Sequence, residues 1–160
     1  MQKKKNRGFG LIEIIIGSAI ILSGILAVIV SYSTYIEYAL SNEKNIEAGN
    51  LLEEGLEAVT FLRQKSWSAN IAPLLNSTTY YLSFNGAYWA TTTTPQYVDG
   101  LFLRSIKVDD VNRDSMDAVV AVGGTYDPNT KKITATVSFW QGHATTTQSI
   151  STYIANLYNN

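Results

Sequence analysis

Glu13 is a single acidic residue within a long apolar stretch near the start of the chain. The stretch from Phe9 to Val30 has 22 residues, and Glu13 is the only charged one among them. A carboxylate inside a transmembrane helix costs on the order of 2.5–3.5 kcal/mol, so such a residue is normally kept together with a partner. A cut after Gly8 would create a positive charge at the same depth, the new amine of Phe9. Glu13 of one chain could then neutralise the Phe9 amine of a neighbouring, staggered chain.

A second interpretation of Glu13 needs no partner. A side chain near the end of a membrane helix can extend its polar head to the lipid headgroups while its stem stays in the apolar region. In that case Glu13 would be a solvated acid with no role in association. The residues alone leave both interpretations open.

The apolar stretch has the length of a membrane-spanning helix. At about 1.5 Å per residue it covers roughly 33 Å, against a bilayer core of about 30 Å. A secretory signal has a shorter apolar region that is followed by a small residue at its cleavage site, whereas here the small residue Gly8 comes first. Four basic residues lie only on the N-terminal side, Lys3, Lys4, Lys5 and Arg7. The positive-inside rule therefore predicts one pass through the cytoplasmic membrane, with a cytoplasmic N-terminus and an extracytoplasmic C-terminal domain.

Residues 8–13, of sequence GFGLIE, resemble the prepilin cleavage and N-methylation motif of type IV pilins and of the pseudopilins of type II secretion and competence systems. The resemblance implies that a prepilin peptidase cuts after Gly8 and that the same enzyme methylates the amine of Phe9. It also implies that Glu13 guides docking into a growing filament. The expected partners are this enzyme, other pilin or pseudopilin subunits, an inner-membrane assembly platform and membrane lipid.

Two positions depart from the family pattern. Gly10 stands where Thr or Ser is usual, and Val30 stands where many major pilins have a helix-kinking Pro. Residues 48–59, followed by Arg63 and Trp67, resemble the minor pilins and minor pseudopilins in particular. The strand-turn-strand pattern at the C-terminus resembles the same group.

The helix is predicted to continue beyond the apolar stretch as an amphipathic half. Four apolar residues at spacings of four and three form one stripe, Leu52, Leu56, Val59 and Leu62, and this stripe is expected to pack on a sheet. Gly49 and Gly55 each cost about 1 kcal/mol in a helix interior. Close packing of both glycines against the sheet is the expected reason for their presence.

After residue 70 the hydrophobic period changes to the alternation that is typical of strands. The expected strands are 78–84, 87–91, 101–108, 118–122, 133–140 and 146–157. Asn85-Gly86 predicts a two-residue type I′ turn, and residues 127–130 predict another turn. A long N-terminal helix packed on a C-terminal antiparallel sheet that forms a meander is an α+β fold, a pilin-like roll.

These patterns divide the chain into four parts. Residues 1–8 are the predicted leader, and residues 9–30 are the half of the helix that spans the membrane or lies in a filament core. Residues 31–66 form the amphipathic half. Residues 67–160 form a β-rich globular domain that is expected to pack on residues 38–66.

Composition argues against several classes of function. Loss of the leader would reduce Lys+Arg from 12 to 8 against 13 acidic residues, so the mature chain would be near −5. Such a charge argues against a nucleic-acid-binding surface of the usual basic kind. The chain has no cysteine, hence no disulfide and no thiol chemistry. No cofactor is expected.

The polar residues of the C-terminal part give little support to catalysis or metal binding. Asp110, Asn112 and Asp114 have the alternating spacing of the first three ligands of a calcium loop. The residues at the turn-glycine and bidentate-glutamate positions of such a loop are Ser115 and Ala121, so a polar loop is favoured and calcium is the weaker alternative. The single histidine, His143, has no nucleophile or orienting group near it in the sequence. No catalytic residue is identified, and an enzyme is not expected.

Two functions remain as hypotheses. The first is a structural subunit, of the minor kind, that joins a pilus or secretion-type filament through its N-terminal helix. The alternative is an adhesin, or a receptor for secreted substrate or DNA, that belongs to the same filament system and uses loops such as 92–100 and 109–117. The recognisable features all lie in the helix, which favours the first. The motif itself is shared by pili, secretion pseudopili and competence systems.

The first prediction concerns processing. The mature chain is expected to begin at Phe9 with a methylated amine, and Gly8→Ala should impair the cut because it introduces a Cβ at the scissile bond. Intact mass and N-terminal sequencing of membrane-extracted protein measure both. A chain that still begins at Met1 in cells containing the prepilin peptidase would rule out this interpretation.

Overall fold

The computed structural model describes residues 10–142 and 144–157. The interpretations given above for Gly8, Phe9 and His143 concern residues outside this range. The chain divides into two compact units, Met1–Glu43 and Lys44–Asn160.

The first unit contains the N-terminal part of helix α1 (Leu11–Lys65), the one helix among the described residues that is long and apolar enough to cross a membrane. Its most apolar window has a mean hydropathy of 2.7 and no buried residue. The hydroxyls of Ser18 and Ser23 donate hydrogen bonds to the carbonyl oxygens of Ile15 and Ile20, at 2.9 and 2.8 Å. Because hydrocarbon supplies no hydrogen-bond partner, this local pairing makes the two serines compatible with a lipid environment.

In the second unit α1 buries one face. Its buried residues are Ala48, Leu51, Leu52, Gly55, Ala58, Val59 and Leu62, whereas Leu56 of the predicted stripe is only partly buried. The helix ends at Lys65, and the short helix α2 (Trp67–Asn70) follows. Ser66 caps α2, since its hydroxyl accepts a hydrogen bond from the amide of Ala69 at 3.2 Å.

Seven strands form one antiparallel sheet, which confirms the α+β class. They are β1 (Thr78–Phe84), β2 (Trp89–Thr92), β3 (Tyr97–Val98), β4 (Phe102–Arg113), β5 (Val119–Val120), β6 (Thr125–Gln141) and β7 (Ala144–Ala155). Their order is β2-β1-β4-β6-β7, and the two short strands β3 and β5 pair with β4. The expected simple meander is therefore wrong. Strand β4 pairs with β6 along one edge, and its 12 residues give the other edge the length to pair with β3, β1 and β5 in turn.

The core lies on the inner face of β4 and β6. Alternate residues of both strands are buried, and the fully buried side chains include Phe102, Ile106, Ile133 and Val137. The rings of Phe102 and Phe139 lie directly across the two strands, with centroids 5.3 Å apart. The period-2 pattern in the sequence corresponds to this alternation.

The predicted type I′ turn is wrong. Phe84 pairs with Trp89, so four residues connect β1 and β2, and of Asn85 and Gly86 only Gly86 has positive φ, at 89°. The side-chain oxygen of Asn85 accepts hydrogen bonds from the amides of Ala87 and Tyr88, at 3.1 and 3.0 Å. This Asx arrangement stabilises a longer loop than the dipeptide alone suggests.

Two further local expectations are corrected. The segment 118–122 is not a buried strand: only β5 is extended, and Val122 is 90% exposed.

Residues 127–130 do not reverse the chain, because β6 runs through them. Asp127 pairs with Val111 while Lys131 pairs with Asp110, so the intervening residues bulge out of the ladder. The Asp127 carboxylate accepts a hydrogen bond from the Asn129 amide at 2.9 Å. The residues that suggested a turn therefore stabilise the bulge instead.

The two helix glycines differ. A Cβ at Gly55 would lie 3.4 Å from Cδ of Arg104 and 3.7 Å from Cβ of Ala135, so the expected close approach to the sheet exists there. A Cβ at Gly49 would meet nothing within 4 Å. Packing therefore explains Gly55, and the expectation for Gly49 is wrong.

This difference gives the second prediction. Gly55→Leu should destabilise the protein by about 1–3 kcal/mol, because three more side-chain atoms would be forced against Arg104 and Ala135. The matched variant Gly49→Leu should be neutral or more stable by up to about 1 kcal/mol, because it gains helix propensity without a clash. Thermal unfolding of both variants, followed by near-ultraviolet circular dichroism, gives the comparison. Equal destabilisation by the two variants would contradict the packing described for Gly55.

Candidate functional site

Glu13 lies in the first turn of α1 and folds back on the start of the helix. Its Oε2 accepts a hydrogen bond from the amide of Gly10 at 2.8 Å, and its own amide donates to the carbonyl oxygen of Gly10 at 3.0 Å. Gly10 is thus the N-cap residue and Glu13 the third residue of the helix. This is the glutamate half of a capping box, in which a side chain at the third position satisfies the amide of the cap.

Gly10 leaves the other half of the box unfilled. A Ser or Thr at the cap would accept a hydrogen bond from the amide of the third residue, but glycine has no side chain to do so. At this helix end the carboxylate of Glu13 also lies at the positive end of the helix dipole. Sequence reasoning identified Glu13 but missed this capping role. The signal was present, because an acid three residues after a residue that can cap a helix is typical of a helix start.

No cation accompanies Glu13 in the described part of the first unit. Residues 10–43 contain no Lys, Arg or His. The side chains around Glu13 are exposed and apolar, Leu11, Ile12 and Ile16 being 79%, 69% and 54% exposed. A positive partner for this carboxylate must therefore come from the N-terminal residues of this chain or from another molecule.

The three calcium candidates do not converge on a common point. The Asp110 carboxylate is paired with the ammonium of Lys131. Oδ1 of Asp114 accepts hydrogen bonds from the amides of Met116 and Ala118, at 2.8 and 2.9 Å, and so closes its own loop. Within residues 10–142 and 144–157, no group of three His, Cys, Asp or Glu side chains could hold a metal ion.

Arg113 organises this loop region instead. Its Nε donates to Oδ2 of Asp127 at 2.7 Å and its Nη1 to the carbonyl oxygen of Asp117 at 2.8 Å. The hydrogen bond from Arg113, together with one from Thr130, lowers the pKa of the Asp127 carboxyl. Burial disfavours the charged form of Lys131, but its hydrogen bonds to Asp110 and Tyr126 outweigh burial and raise the pKa of Lys131.

A further ion pair, between helix and sheet, was missed by sequence reasoning. Arg104 of β4 is 4% exposed, and its Nη1 lies 2.7 Å from Oε2 of Glu54 in α1. Its guanidinium also lies over the ring of Trp89, 4.9 Å from the centroid. The residues are 50 positions apart, and only the register of helix on sheet brings them together.

These features define a class of protein: an exposed apolar N-terminal helix with one capping carboxylate, followed by an α+β domain. The prokaryotic N-terminal methylation motif matches this chain over residues 3–29. Comparisons with curated proteins and with solved structures found no match. This motif supports a type IV pilin-like or pseudopilin-like protein. Proteins with this motif are structural, are processed by prepilin peptidase and assemble with other pilin subunits.

The third prediction concerns the pH dependence of stability. Because the folded pKa of Asp127 lies below its unfolded value of about 4, its contribution is present above that pH and is lost as the pH falls through the folded pKa. Asp127→Asn should cost roughly 1 kcal/mol near pH 7, the size expected for a partly exposed, charge-assisted hydrogen bond, and progressively less below pH 4. Glu53→Gln, on the exposed face of α1, is the control. Unfolding midpoints measured between pH 2 and pH 8 test this, and a cost that does not change with pH would contradict it.

Proposed function

We propose that the chain is a minor structural subunit of a type IV pilus or of a type II secretion-like filament. Prepilin peptidase cuts it after Gly8 and methylates Phe9, and it then joins the filament through its N-terminal helix. The observation that carries this proposal is Glu13, a carboxylate in an exposed apolar helix whose described surroundings contain no cation.

The capping geometry of Glu13 is compatible with docking. A carboxylate has about four sites that can accept hydrogen bonds, so the bond between Oε2 and the Gly10 amide leaves room for a donor from outside. The cap also holds the side chain at the first turn of the helix, which limits the side-chain entropy lost on docking. The methylated amine of Phe9 in a neighbouring subunit is the proposed donor.

The helix surface beside Glu13 supports close helix association. Gly17 and Gly24 are seven residues apart, and a Cβ at either position would meet nothing within 4 Å. Small residues at such spacing let the backbones of two membrane helices approach closely. The exposed isoleucines around them can contact lipid before assembly and neighbouring helices afterwards. Only the surroundings of these side chains have to change.

Localisation follows from the same helix. We expect the unassembled subunit to cross the cytoplasmic membrane once, with its N-terminus in the cytoplasm, and the assembly platform to take it up from there. In the filament, extracellular or periplasmic, the predicted parts keep their roles: residues 9–30 lie in the filament core, and residues 67–160, packed on residues 38–66, form its outer domain.

A binding role within the same filament is the second candidate function. Met116 and Val122 are 86% and 90% exposed, and they lie in the loop region that Arg113 organises through its bonds to Asp117 and Asp127. Exposed apolar side chains on a fixed loop can contact a partner at low entropic cost. This loop favours an adhesin or receptor role as an addition to assembly rather than in place of it.

The fourth prediction separates capping from docking at Glu13. In Glu13→Gln the amide oxygen can still accept the hydrogen bond from Gly10, since Gln serves in a capping box as well as Glu. Only the charge is lost. If capping is the only role, filament incorporation should be at the parent level. If Glu13 pairs with an amine of the next subunit, removal of one partner costs roughly 3–5 kcal/mol, a hundredfold or more in the docking equilibrium.

The measurement is the amount of protein in the sheared filament fraction, relative to the cleaved protein in the membrane. We expect Glu13→Gln to be cleaved and inserted normally and to be lost from the filaments. Glu37→Gln removes one charge from the same helix beyond the apolar stretch and should leave incorporation unchanged. Incorporation of Glu13→Gln at the parent level would refute the pairing role.

A further inference from the structure

An open groove of about 280 Å³ lies between α1 and the hairpin formed by β1 and β2. Four aromatic side chains line it, Phe61, Phe84, Tyr88 and Trp89. Phe61, Phe84 and Tyr88 are 42%, 55% and 48% exposed. Three large aromatic rings that remain this exposed around one groove form a surface suited to a ligand.

The groove is acidic as well as aromatic. Glu54 and Glu57 of α1 are its two charged lining residues. Glu54 is already paired with Arg104, whereas among the described residues no basic side chain is paired with Glu57. Carboxylates beside aromatic faces attract organic cations, because the negative charge and the ring quadrupoles act in the same direction. The chemistry of the groove therefore complements a positive charge.

The chain itself already uses two of these rings to hold cations. The guanidinium of Arg104 lies over Trp89, and the ammonium of Lys65 lies over Tyr88 with Nζ 4.7 Å from the centroid. Arg104 combines ring contact with a carboxylate, since its Nη1 is 2.7 Å from Glu54. Glu57 and Phe84 are a second carboxylate and a second ring that line the same groove.

We propose that this groove binds an arginine side chain of a partner protein, with the guanidinium between Glu57 and the ring of Phe84. Arginine fits better than lysine because its planar guanidinium can stack on a ring and donate two parallel hydrogen bonds to a carboxylate. The proposal goes beyond filament assembly and does not rest on it. It states which kind of side chain, by its charge and its planar shape, the groove between α1 and the β1–β2 hairpin binds.

The test uses the full chain in micelles of an uncharged maltoside detergent. The probe is the peptide acetyl-Gly-Arg-Gly-amide, and its control carries citrulline in place of arginine, which keeps the shape and removes the charge. Binding is followed through the nuclear magnetic resonance signal of the Trp89 indole N–H, identified with Trp89→Phe. We expect saturable shifts with the arginine peptide and at least about fivefold weaker binding of the citrulline peptide.

Matched variants connect the binding to the groove. Glu57→Gln should weaken binding about fivefold or more, whereas Glu53→Gln, which removes the same charge from the neighbouring exposed position, should have no effect. Phe84→Ala should weaken binding, whereas Tyr97→Ala, an aromatic that is 61% exposed outside the groove, should not. Both groove residues are exposed, so the variants should fold, and unchanged unfolding midpoints confirm it.

Three results would overturn the proposal. The first is the absence of a saturable shift with the arginine peptide. The second is equal weakening by Glu53→Gln and Glu57→Gln, which would indicate general attraction to an acidic surface. The third is tighter binding of choline than of the arginine peptide, which would indicate that a lipid headgroup or another quaternary amine is the ligand.

Discussion

The constraint on which this molecule depends is that the N-terminal part of α1 has no buried side chain in the part of the chain that the structure describes. Its apolar side chains are exposed over several turns, from Leu11 to Val30. At about 25 cal/mol per Å² of apolar surface, water is excluded as the lasting environment of such a helix. Lipid and the helices of other subunits are the two environments that remain. Because both environments are apolar, transfer of the helix from lipid to neighbouring helices costs little hydrophobic free energy. Directional polar contacts must therefore determine whether the transfer is favourable.

Glu13 is the polar group that can make such a contact. Within the helix its carboxylate has one local hydrogen bond, to the amide of Gly10, which reduces the cost of the charge without neutralising it. Under the proposed function, this residual cost gives docking its specificity, because a partner that supplies a positive charge at this depth recovers more free energy than an apolar contact there. Gly10 makes this dependence stronger. A Ser or Thr at that position would complete the capping box, whereas Gly10 leaves only the glutamate half of it.

The second unit is held together in a different way, by packing of one helix face on one sheet face. Its core consists of aliphatic residues together with Trp67, Phe102 and Phe139, and Gly55 lets the helix approach the sheet closely. Arg104 is the exception, a nearly buried cation that lies beside the Glu54 carboxylate and over the ring of Trp89. Such a pair contributes more to the alignment of helix and sheet than to net stability, because desolvation of the guanidinium offsets most of the attraction.

The general architecture could be predicted because the relevant signals are local and repeated. A long apolar run, a stripe at spacings of three and four, and alternation in β6 each report the environment of one segment. The strand order and the hairpin loop could not be predicted in this way. They depend on β4 pairing with β1 on one side and β6 on the other, and on Asn85 bonding to the backbone beyond Gly86.

The same distinction explains what was missed at the candidate sites. Glu13 is visible in sequence because a charge within an apolar run is conspicuous without any knowledge of the fold. The groove at Glu57 is not visible in the sequence, because its rings come from α1 and from the β1–β2 hairpin. These segments are separated in the chain, and each one alone has the pattern of an ordinary amphipathic helix or strand. Exposed Phe84 directly precedes the loop of that hairpin and Tyr88 is the last residue of the loop, and both line the groove beside the helix. A two-residue turn would have left no Ala87 or Tyr88 in the connection, so the feature that contradicted the turn prediction is also the one that builds the groove.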